Sequence, residues 1–239
     1  MTKQYAHQIL IADGEYQFVE NKLAHNISSF RNTYSGFSYK LYENRDIRAF
    51  ITRNFSKKIL RVYDDLVPFA FKADLARYCL LYSLGGIYSD LSYLHINPIL
   101  LPSRKNLAIF RDIPYVHPPW SVSCGVIYAR PRSEHLRQVL VKIVENHSAQ
   151  FYGESQLDVT GPYLLGRVLA EKNSYSDIYC GDSILSLQTA EGPKNICKYT
   201  PDGRLIAFRN KSKDSSLEEF ISNGYNEYAT LWRSRKVWR

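Results

Sequence analysis

The chain has 239 residues, of which 31 are lysine or arginine and 23 are aspartate or glutamate, so its formal net charge is +8. This length suffices for one large α/β core, and we expect a single domain over residues 1–239. No apolar run of about 18 residues occurs, and the first residues lack the apolar core of a signal peptide, so we expect a cytoplasmic protein. The four cysteines lack metal-ligand spacing, which predicts free thiols.

The basic excess indicates an anionic partner, and nucleic acid is one alternative. The basic residues are spread along the chain, however, and no recognised nucleic-acid motif accompanies them. An anionic substrate, a lipid-linked acceptor or the anionic inner face of a membrane explains the excess equally well. The C-terminal end combines basic residues with Trp232 and Trp238, which fits either contact with a membrane surface or a solvated terminus.

Apolar periodicity predicts alternating strands and helices along the chain. The predicted strands cover residues 6–12, 38–42, 87–90, 107–111, 122–129 and 183–187. The predicted helices cover residues 16–31, 46–54, 69–84, 134–146 and 163–172. Such alternation predicts an α/β fold with a mainly parallel central sheet flanked by helices. From residue 173 onward the composition favours loops and short elements.

The most informative segment begins on the helix predicted over residues 69–84. Asp74 and Arg77 are three residues apart and therefore share one face of this helix. Two glycines at positions 85 and 86 end the helix, since a residue without Cβ adopts the left-handed conformation without strain. Asp90 then follows a short apolar strand, where open α/β sheets usually place ligand-binding groups. The alternatives are a surface ion pair for Asp74 and Arg77 and a cap for Asp90.

Residues 73–90 resemble the motif aDxxRYxxLxxxGGxYxDxD of the sugar-binding, DxD-containing glycosyltransferases, the group around glycosyltransferase family 32. The matching residues are Ala73, Asp74, Arg77, Tyr78, Leu81, Gly85, Gly86, Tyr88 and Asp90. Ser92 stands where the family has its second aspartate, which removes a negative charge from the expected metal site. Further similarities are an opening strand at His7 and Gln8, a TGP element at residues 160–162 and a closing signature at Asn226, Glu227, Thr230 and Trp232.

The resemblance implies a GT-A-like, Rossmann-like fold and a single catalytic domain, with residues 220–239 as either a lid or a membrane-contact tail. It implies a retaining transferase that moves a sugar from a nucleotide-sugar donor, a UDP-sugar in preference to a GDP-sugar. The acceptor would be a glycan or a lipid-linked saccharide in polysaccharide or glycoconjugate synthesis. The implied cofactor is Mn²⁺ or Mg²⁺, because a divalent ion stabilises the leaving diphosphate.

The resemblance also assigns roles to residues. It implies catalytic roles for Asp74, Arg77 and Asp90, and donor contacts for His7, Gln8, Tyr78, Gly86, Tyr88 and Trp232. The implied metal ligands are Asp90, Ser92, Glu227 and Thr230, where Glu227 would restore the missing charge. His117 and Trp120, in a proline-rich loop, and Thr160 are acceptor candidates, because aromatic rings and polar groups bind sugars.

Several of these roles have structural alternatives. His7 also fits a strand histidine with satisfied hydrogen bonds, Ser92 a turn hydroxyl, and Trp232 a core anchor. The loop that carries His117 and Trp120 also fits simple packing. The missing second aspartate leaves open a nucleotide-sugar-binding pseudo-transferase without turnover, and the charge leaves open a nucleic-acid-binding protein.

Overall fold

The computed structural model describes residues 3–12, 22–171, 175–186, 195–210 and 226–239. In this part of the chain the strands are β1 (Tyr5–Ile9), β2 (Ser38–Tyr42), β3 (Gly86–Ser89), β4 (Tyr93–His95), β5 (Leu107–Arg111), β6 (Val122–Ala129), β7 (Ile178–Leu185), β8 (Ile196–Tyr199) and β9 (Leu205–Arg209). The helices are α1 (Lys22–Thr33), α2 (Asn44–Asn54), α3 (Lys57–Asp65), α4 (Phe69–Leu84), α5 (Glu134–Ser148), α6 (Pro162–Glu171) and α7 (Tyr228–Arg233), with a 3-10 turn at Gln156–Asp158.

The nine strands form one sheet in the order β2-β1-β3-β6-β5-β7-β8-β9-β4, so the predicted α/β class is confirmed. The sheet is mixed and less parallel than the strand–helix alternation predicts. Strand β1 runs parallel to β2 and β3, and β5 runs parallel to β7. Strand β6 is antiparallel to both of its neighbours. Strands β7, β8 and β9 pair antiparallel in succession, because consecutive strands with short connections cannot cross over as parallel pairs do.

The predicted bounds coincide with the structure for β2, β5, β6 and α4. The sequence missed the short helices α3 and α7 and the strands β4, β8 and β9, which fall partly in the region predicted as loops. Strand β4 has three residues, and β8 and β9 mix buried with partly exposed positions. Such strands carry weak periodicity and depend on their partners for stability. Residues 16–21 of the predicted first helix lie outside the described residues.

Helix α4 is buried along most of its length, including the positions of Asp74 and Arg77. It ends at Gly85, where φ is 68°. Gly86 follows with φ at 98°, and a Cβ there would lie 2.1 Å from the backbone oxygen of Tyr5 in β1. The two glycines are therefore required both by backbone conformation and by the close approach of the chain to β1.

The C-terminal segment packs against the beginning of α4. The side chain of Asn226 accepts a hydrogen bond from the backbone of Phe69 at 2.7 Å. Val237 and Trp238 are buried, and the Trp238 indole donates to the Phe151 carbonyl at 3.2 Å. The membrane-contact role predicted for Trp238 is therefore corrected, because this side chain anchors the segment in the core. Residues 220–225 of the predicted lid lie outside the described residues.

The cysteines are free thiols, as predicted. Among the residues that the structure describes, no helix has both the length and the apolar character needed to cross a bilayer.

Two buried histidines make the fold sensitive to acid. Burial lowers the pKa of His7 to about 4, against an opposing hydrogen bond to Gly85, and lowers the pKa of His95 to about 3. The unfolded chain takes up these protons near pH 6.5, before the folded state does, so stability falls as the pH falls from about 6.5 toward 4. We expect a loss of roughly 3 kcal/mol in the free energy of unfolding for each histidine over this range, or roughly 6 kcal/mol for both.

Urea unfolding measured at several pH values tests this expectation. The His95→Gln variant should show a shallower pH dependence than the parent protein. The His25→Gln variant, changed at an exposed position on α1, is the matched control. Equal slopes for His95→Gln and the parent would show that His95 does not contribute.

A second prediction concerns the C-terminal anchor. Deletion of residues 237–239 removes buried Val237 and Trp238, and should lower the free energy of unfolding by about 3–5 kcal/mol. Calorimetric melting of the deletion variant measures the loss. Removal of Arg239 alone, which is exposed, is the control. An unchanged melting temperature after the full deletion would contradict the anchoring role.

Candidate active site

The centre of the candidate site is an arginine held between two carboxylates. Arg77 Nη2 lies 3.1 Å from Asp74 Oδ1 and 3.5 Å from Asp90 Oδ1. The Asp74 and Arg77 side chains are only 12% and 7% exposed, whereas Asp90 is 36% exposed. The simple surface ion pair is therefore excluded for Asp74 and Arg77. The structure brings together the three residues predicted as catalytic, with Asp90 toward solvent.

Arg77 is fixed by further contacts. Its Nη1 donates to the Cys124 carbonyl in β6 at 2.6 Å, and its guanidinium lies 4.7 Å from the centre of the Tyr88 ring. The Tyr88 hydroxyl donates to Asp90 Oδ1 at 2.6 Å. Burial opposes the charge of Arg77, but Tyr88, Asp90 and Asp74 outweigh it and raise the pKa of Arg77. Arg77 is thus a permanent cation, and Tyr88 supports Asp90 from below.

Asp74 is held from its other side by the TGP element. Thr160 donates its hydroxyl hydrogen to Asp74 Oδ2 at 2.9 Å. A Cβ on Gly161 would lie 3.3 Å from the same oxygen, so glycine gives the carboxylate its space. Burial raises the pKa of Asp74, while Arg77 and the Thr160 hydrogen bond oppose the rise. Thr160 is fully buried, and its predicted acceptor contact is corrected to support of Asp74.

Asp90 lies directly after β3, at the edge of the sheet. Its backbone N–H donates to the Gly125 carbonyl at 2.8 Å. A Cβ on Gly125 would lie 3.0 Å from Asp90 Oδ2 and 2.7 Å from Tyr93 Cε2, so a larger residue there would displace both. Oδ1 accepts from Tyr88, and in the described part of the chain Oδ2 is the oxygen left for a ligand.

Two asparagines hold the turn after Asp90. Asn26 in α1 donates its side-chain amide to the Leu91 carbonyl at 3.0 Å. The backbone of Asn210 donates to the Ser92 carbonyl at 2.7 Å, and its side chain donates to Asn26 at 3.0 Å. Neither asparagine belongs to a sequence motif. Their role follows only from pairing between distant segments.

The predicted metal ligands fit a divalent ion unequally. Ser92 is buried and uncharged. Glu227 caps α7, because its two carboxylate oxygens accept from the backbones of Ala229 and Thr230 at 3.0 and 2.7 Å. Glu227 thus serves as a helix cap in this structure, and the ligand roles of Glu227 and Thr230 stay predictions. Within the described ranges, no three His, Cys, Asp or Glu side chains lie close enough together to hold a metal ion. Asp90 alone fits an ion that also binds water and phosphate oxygens.

Four predicted donor-binding residues lie beneath the site instead of facing it. The ring of His7 bonds to the Gly85 carbonyl at 2.9 Å, and Gln8 accepts from the Tyr39 hydroxyl at 3.0 Å. The Tyr78 hydroxyl lies 3.0 Å from the Cys124 sulfur. These side chains are fully buried, and Gly86 is closed off by β1. Donor contact by these residues is corrected to support of the strands and of α4.

Helix α7 packs against α4 through Tyr228, whereas the residue predicted to act at the site was Trp232. The Trp232 indole donates to the Tyr152 carbonyl at 2.7 Å and packs against the core, so Trp232 is an anchor. Tyr228 lies over Phe71, with ring centres 6.0 Å apart. Burial and the charges of Asp74 and Glu227 raise the pKa of Tyr228, while the charge of Arg209 opposes the rise. Tyr228 is one of 19 tyrosines and carries no sequence signal.

The proline-rich loop docks on α6. A Cβ on Gly166 would lie 2.0 Å from the Trp120 carbonyl, so the loop touches the helix backbone. His117 lies 3.3 Å from the Tyr163 hydroxyl. Trp120 is 43% exposed, and Tyr115 is 83% exposed. The acceptor role of His117 and Trp120 stays a prediction.

Known proteins resemble this chain in sequence and in fold. Residues 5–108 match the family described as "Glycosyltransferase sugar-binding region containing DXD motif". A protein of Acanthamoeba polyphaga mimivirus, named uncharacterized glycosyltransferase L373, is 30% identical over 138 residues, which cover 55% of this chain and 51% of that protein. The chain thus spans about half the length of this relative.

The solved structure of PaToxG glycosyltransferase superposes with a TM-score of 0.58 at 13% identity, over 71% of this chain and 69% of that one. At this identity the likeness concerns the fold alone. It supports the predicted glycosyltransferase type of α/β fold. The predicted resemblance is therefore confirmed: residues 5–108 of this chain match the DXD-containing sugar-binding region of glycosyltransferases.

Proposed function

We propose that this chain is a retaining glycosyltransferase that uses a nucleotide-sugar donor, a UDP-sugar in preference to a GDP-sugar. Its acceptor is a glycan or a lipid-linked saccharide, in polysaccharide or glycoconjugate synthesis. One observation carries the proposal: Arg77 is buried between Asp74 and Asp90 at the carboxyl end of β3. A cluster that combines both charges and is open to solvent on one side suits a ligand with several hydroxyls and a diphosphate.

The role of the cluster is to hold the donor sugar in a fixed orientation. Asp74 and Arg77 are held by Thr160 and by the β6 backbone, so they present fixed hydrogen-bonding groups to the donor sugar. Fixed groups of this kind can contribute several kcal/mol, because the orientation of the donor is settled before reaction. Retention of configuration requires no general base from the protein.

Asp90 provides the link to the leaving group. The Asp90 side chain is 36% exposed, and Tyr88 fixes its Oδ1 by a hydrogen bond. A divalent ion, Mn²⁺ or Mg²⁺, would supply Lewis-acid stabilisation of the departing diphosphate when it is held by Asp90. The neutral Ser92 adds no charge there, so the protein holds such an ion with one carboxylate.

The location of the protein is also part of the proposal. We place it in the cytoplasm, at the inner face of a membrane when the acceptor is lipid-linked. Arg233, Arg235 and Lys236 are exposed at the end of α7, whereas the neighbouring tryptophans are anchored inside. Exposed cations are attracted by an anionic leaflet within about one Debye length.

The substitution Asp90→Asn tests the proposed function. It keeps the shape of the side chain but removes the charge, and should lower the turnover number for transfer by roughly 100-fold or more. Transfer from radiolabelled donors and circular dichroism are measured together. The control Asp182→Asn breaks an exposed pair with Arg111 and should leave transfer within about threefold. Full activity of folded Asp90→Asn would remove Asp90 from the site.

The substitution Ser92→Asp tests the metal arrangement. A second carboxylate two residues after Asp90 should lower the Mn²⁺ concentration needed for donor binding by about tenfold, because Mn²⁺ prefers charged oxygen ligands. Thermal shifts with UDP- and GDP-sugars, each titrated with Mn²⁺, measure the change. An unchanged Mn²⁺ requirement in a folded variant would show that position 92 does not face the ion. Donor binding without any transfer would identify a pseudo-transferase.

A further inference from the structure

We propose that Arg209, at the end of β9, binds the diphosphate of the donor directly, and that Lys198 in β8 provides a second, buried positive charge beneath it. The inference rests on the proposed function, because it assigns a subsite of the same cleft. Neither residue belongs to a motif of the sequence.

The net negative charge of the cluster is the reason to look for further cations that bind a diphosphate. Asp74 and Asp90 together outweigh the single charge of Arg77, so the cluster is anionic. A diphosphate brings more negative charge to the same place. Ser92 offers no carboxylate with which to hold a compensating ion strongly. Cations from other elements are therefore needed to keep the diphosphate beside Asp90.

Strand pairing places Arg209 on the same face of the sheet as Tyr93, which lies beside Asp90. Arg209 is paired with Tyr93 across β9 and β4, and directly paired residues project to the same face of a sheet. The Tyr93 ring lies against Gly125, at the point where Asp90 Oδ2 also lies. The hydrogen bond from Asn210 to Ser92, at 2.7 Å, holds the end of β9 beside the Asp90 turn.

The charge of Arg209 also affects the pKa values of two tyrosines, Tyr228 and Tyr93. Burial, Asp74 and Glu227 raise the pKa of Tyr228, and the charge of Arg209 opposes them. Burial and Asp90 raise the pKa of Tyr93, and Arg209 again opposes the rise. Arg209 is partly exposed and forms no ion pair with any residue in the described ranges, so it is open to an anion.

Lys198 is a buried cation without a carboxylate partner among the described residues. Its amino group donates to the Ser183 hydroxyl at 2.6 Å and lies 5.7 and 5.9 Å from the centres of the Tyr93 and Phe110 rings. The residue is 1% exposed. An unpaired buried charge lowers stability, so a functional reason for it is expected.

The groups around Lys198 point to the same cleft. Burial lowers the pKa of Lys198 to about 8; Asp112 and Asp90 oppose this shift, and the nearby Arg209 adds to it. Both cations neighbour Tyr93, because Lys198 lies over its ring and Arg209 is its partner across the two strands. An anion between Tyr93 and Arg209 would relieve their repulsion and stabilise both charges.

The experiment measures binding of UDP, GDP and the matching nucleosides by calorimetry in EDTA, so that no metal contributes. Arg209→Gln should weaken diphosphate binding by about tenfold and leave nucleoside binding unchanged, because charge-assisted hydrogen bonds to phosphate are lost. Arg209→Lys, which keeps the charge, should recover part of the affinity. Lys198→Met should cause a smaller loss, of about threefold. Arg53→Gln, an exposed arginine on α2, is the control for net charge.

A second measurement uses the unchanged protein and does not depend on folded variants. Inorganic pyrophosphate should protect Arg209 from modification by phenylglyoxal, as mapped by mass spectrometry. Unprotected Arg209, or equal diphosphate affinity in the parent and Arg209→Gln, would overturn the inference while the proposed function stands. Equal losses for diphosphate and nucleoside would also overturn it, since they indicate a general disturbance. No binding of either diphosphate by the parent protein, with or without Mn²⁺, would refute the proposed function itself.

Discussion

The ion cluster around Arg77 is the constraint on which the rest of the structure depends. A guanidinium buried this deeply is tolerated only when its partners stay in place, and removal of one partner of a buried pair typically costs about 3–5 kcal/mol. Arg77 contacts Asp74 on its own helix, Asp90 after β3 and the Cys124 carbonyl in β6. The central helix and the middle of the sheet are thereby held in one arrangement.

The surrounding elements maintain this arrangement by close approach. Gly86 lets β3 lie against β1, and Gly125 leaves space for Asp90 and Tyr93. Asn26 and Asn210 hold the backbone of the turn that follows Asp90. Side chains that resemble donor ligands in the motif, such as Tyr78 and His7, are used inside the core. The motif residues of this chain therefore include side chains that pack beneath the site.

The substitution of serine at position 92 changes how charge is distributed in the cleft. One carboxylate, Asp90, faces solvent, and the cations Arg209 and Lys198 come from strands on the other side of Tyr93. In the arrangement that we propose, the charge of the ligand is met by groups on the antiparallel part of the sheet. The C-terminal segment contacts helix α4 through Tyr228 and Phe71, while its tryptophans hold that segment to the core.

The sequence by itself determined the local elements and the residues of the central cluster. Helix 69–84 follows from its composition, its end follows from two glycines that need positive φ, and Asp90 follows from the strand that precedes it. The sequence also indicated that Asp74 and Arg77 share a face. These features depend on neighbours a few residues apart, and local preferences suffice to predict them.

Only the tertiary structure decided which of these residues face a ligand. The burial of His7, Gln8 and Tyr78, and the use of Glu227 as a helix cap, depend on elements distant in the chain. The strands β8 and β9, and with them Lys198 and Arg209, carry weak periodic patterns because pairing with neighbouring strands stabilises them. Contacts between segments far apart in sequence are not encoded in any local pattern, and it is these contacts that surround the Arg77 cluster.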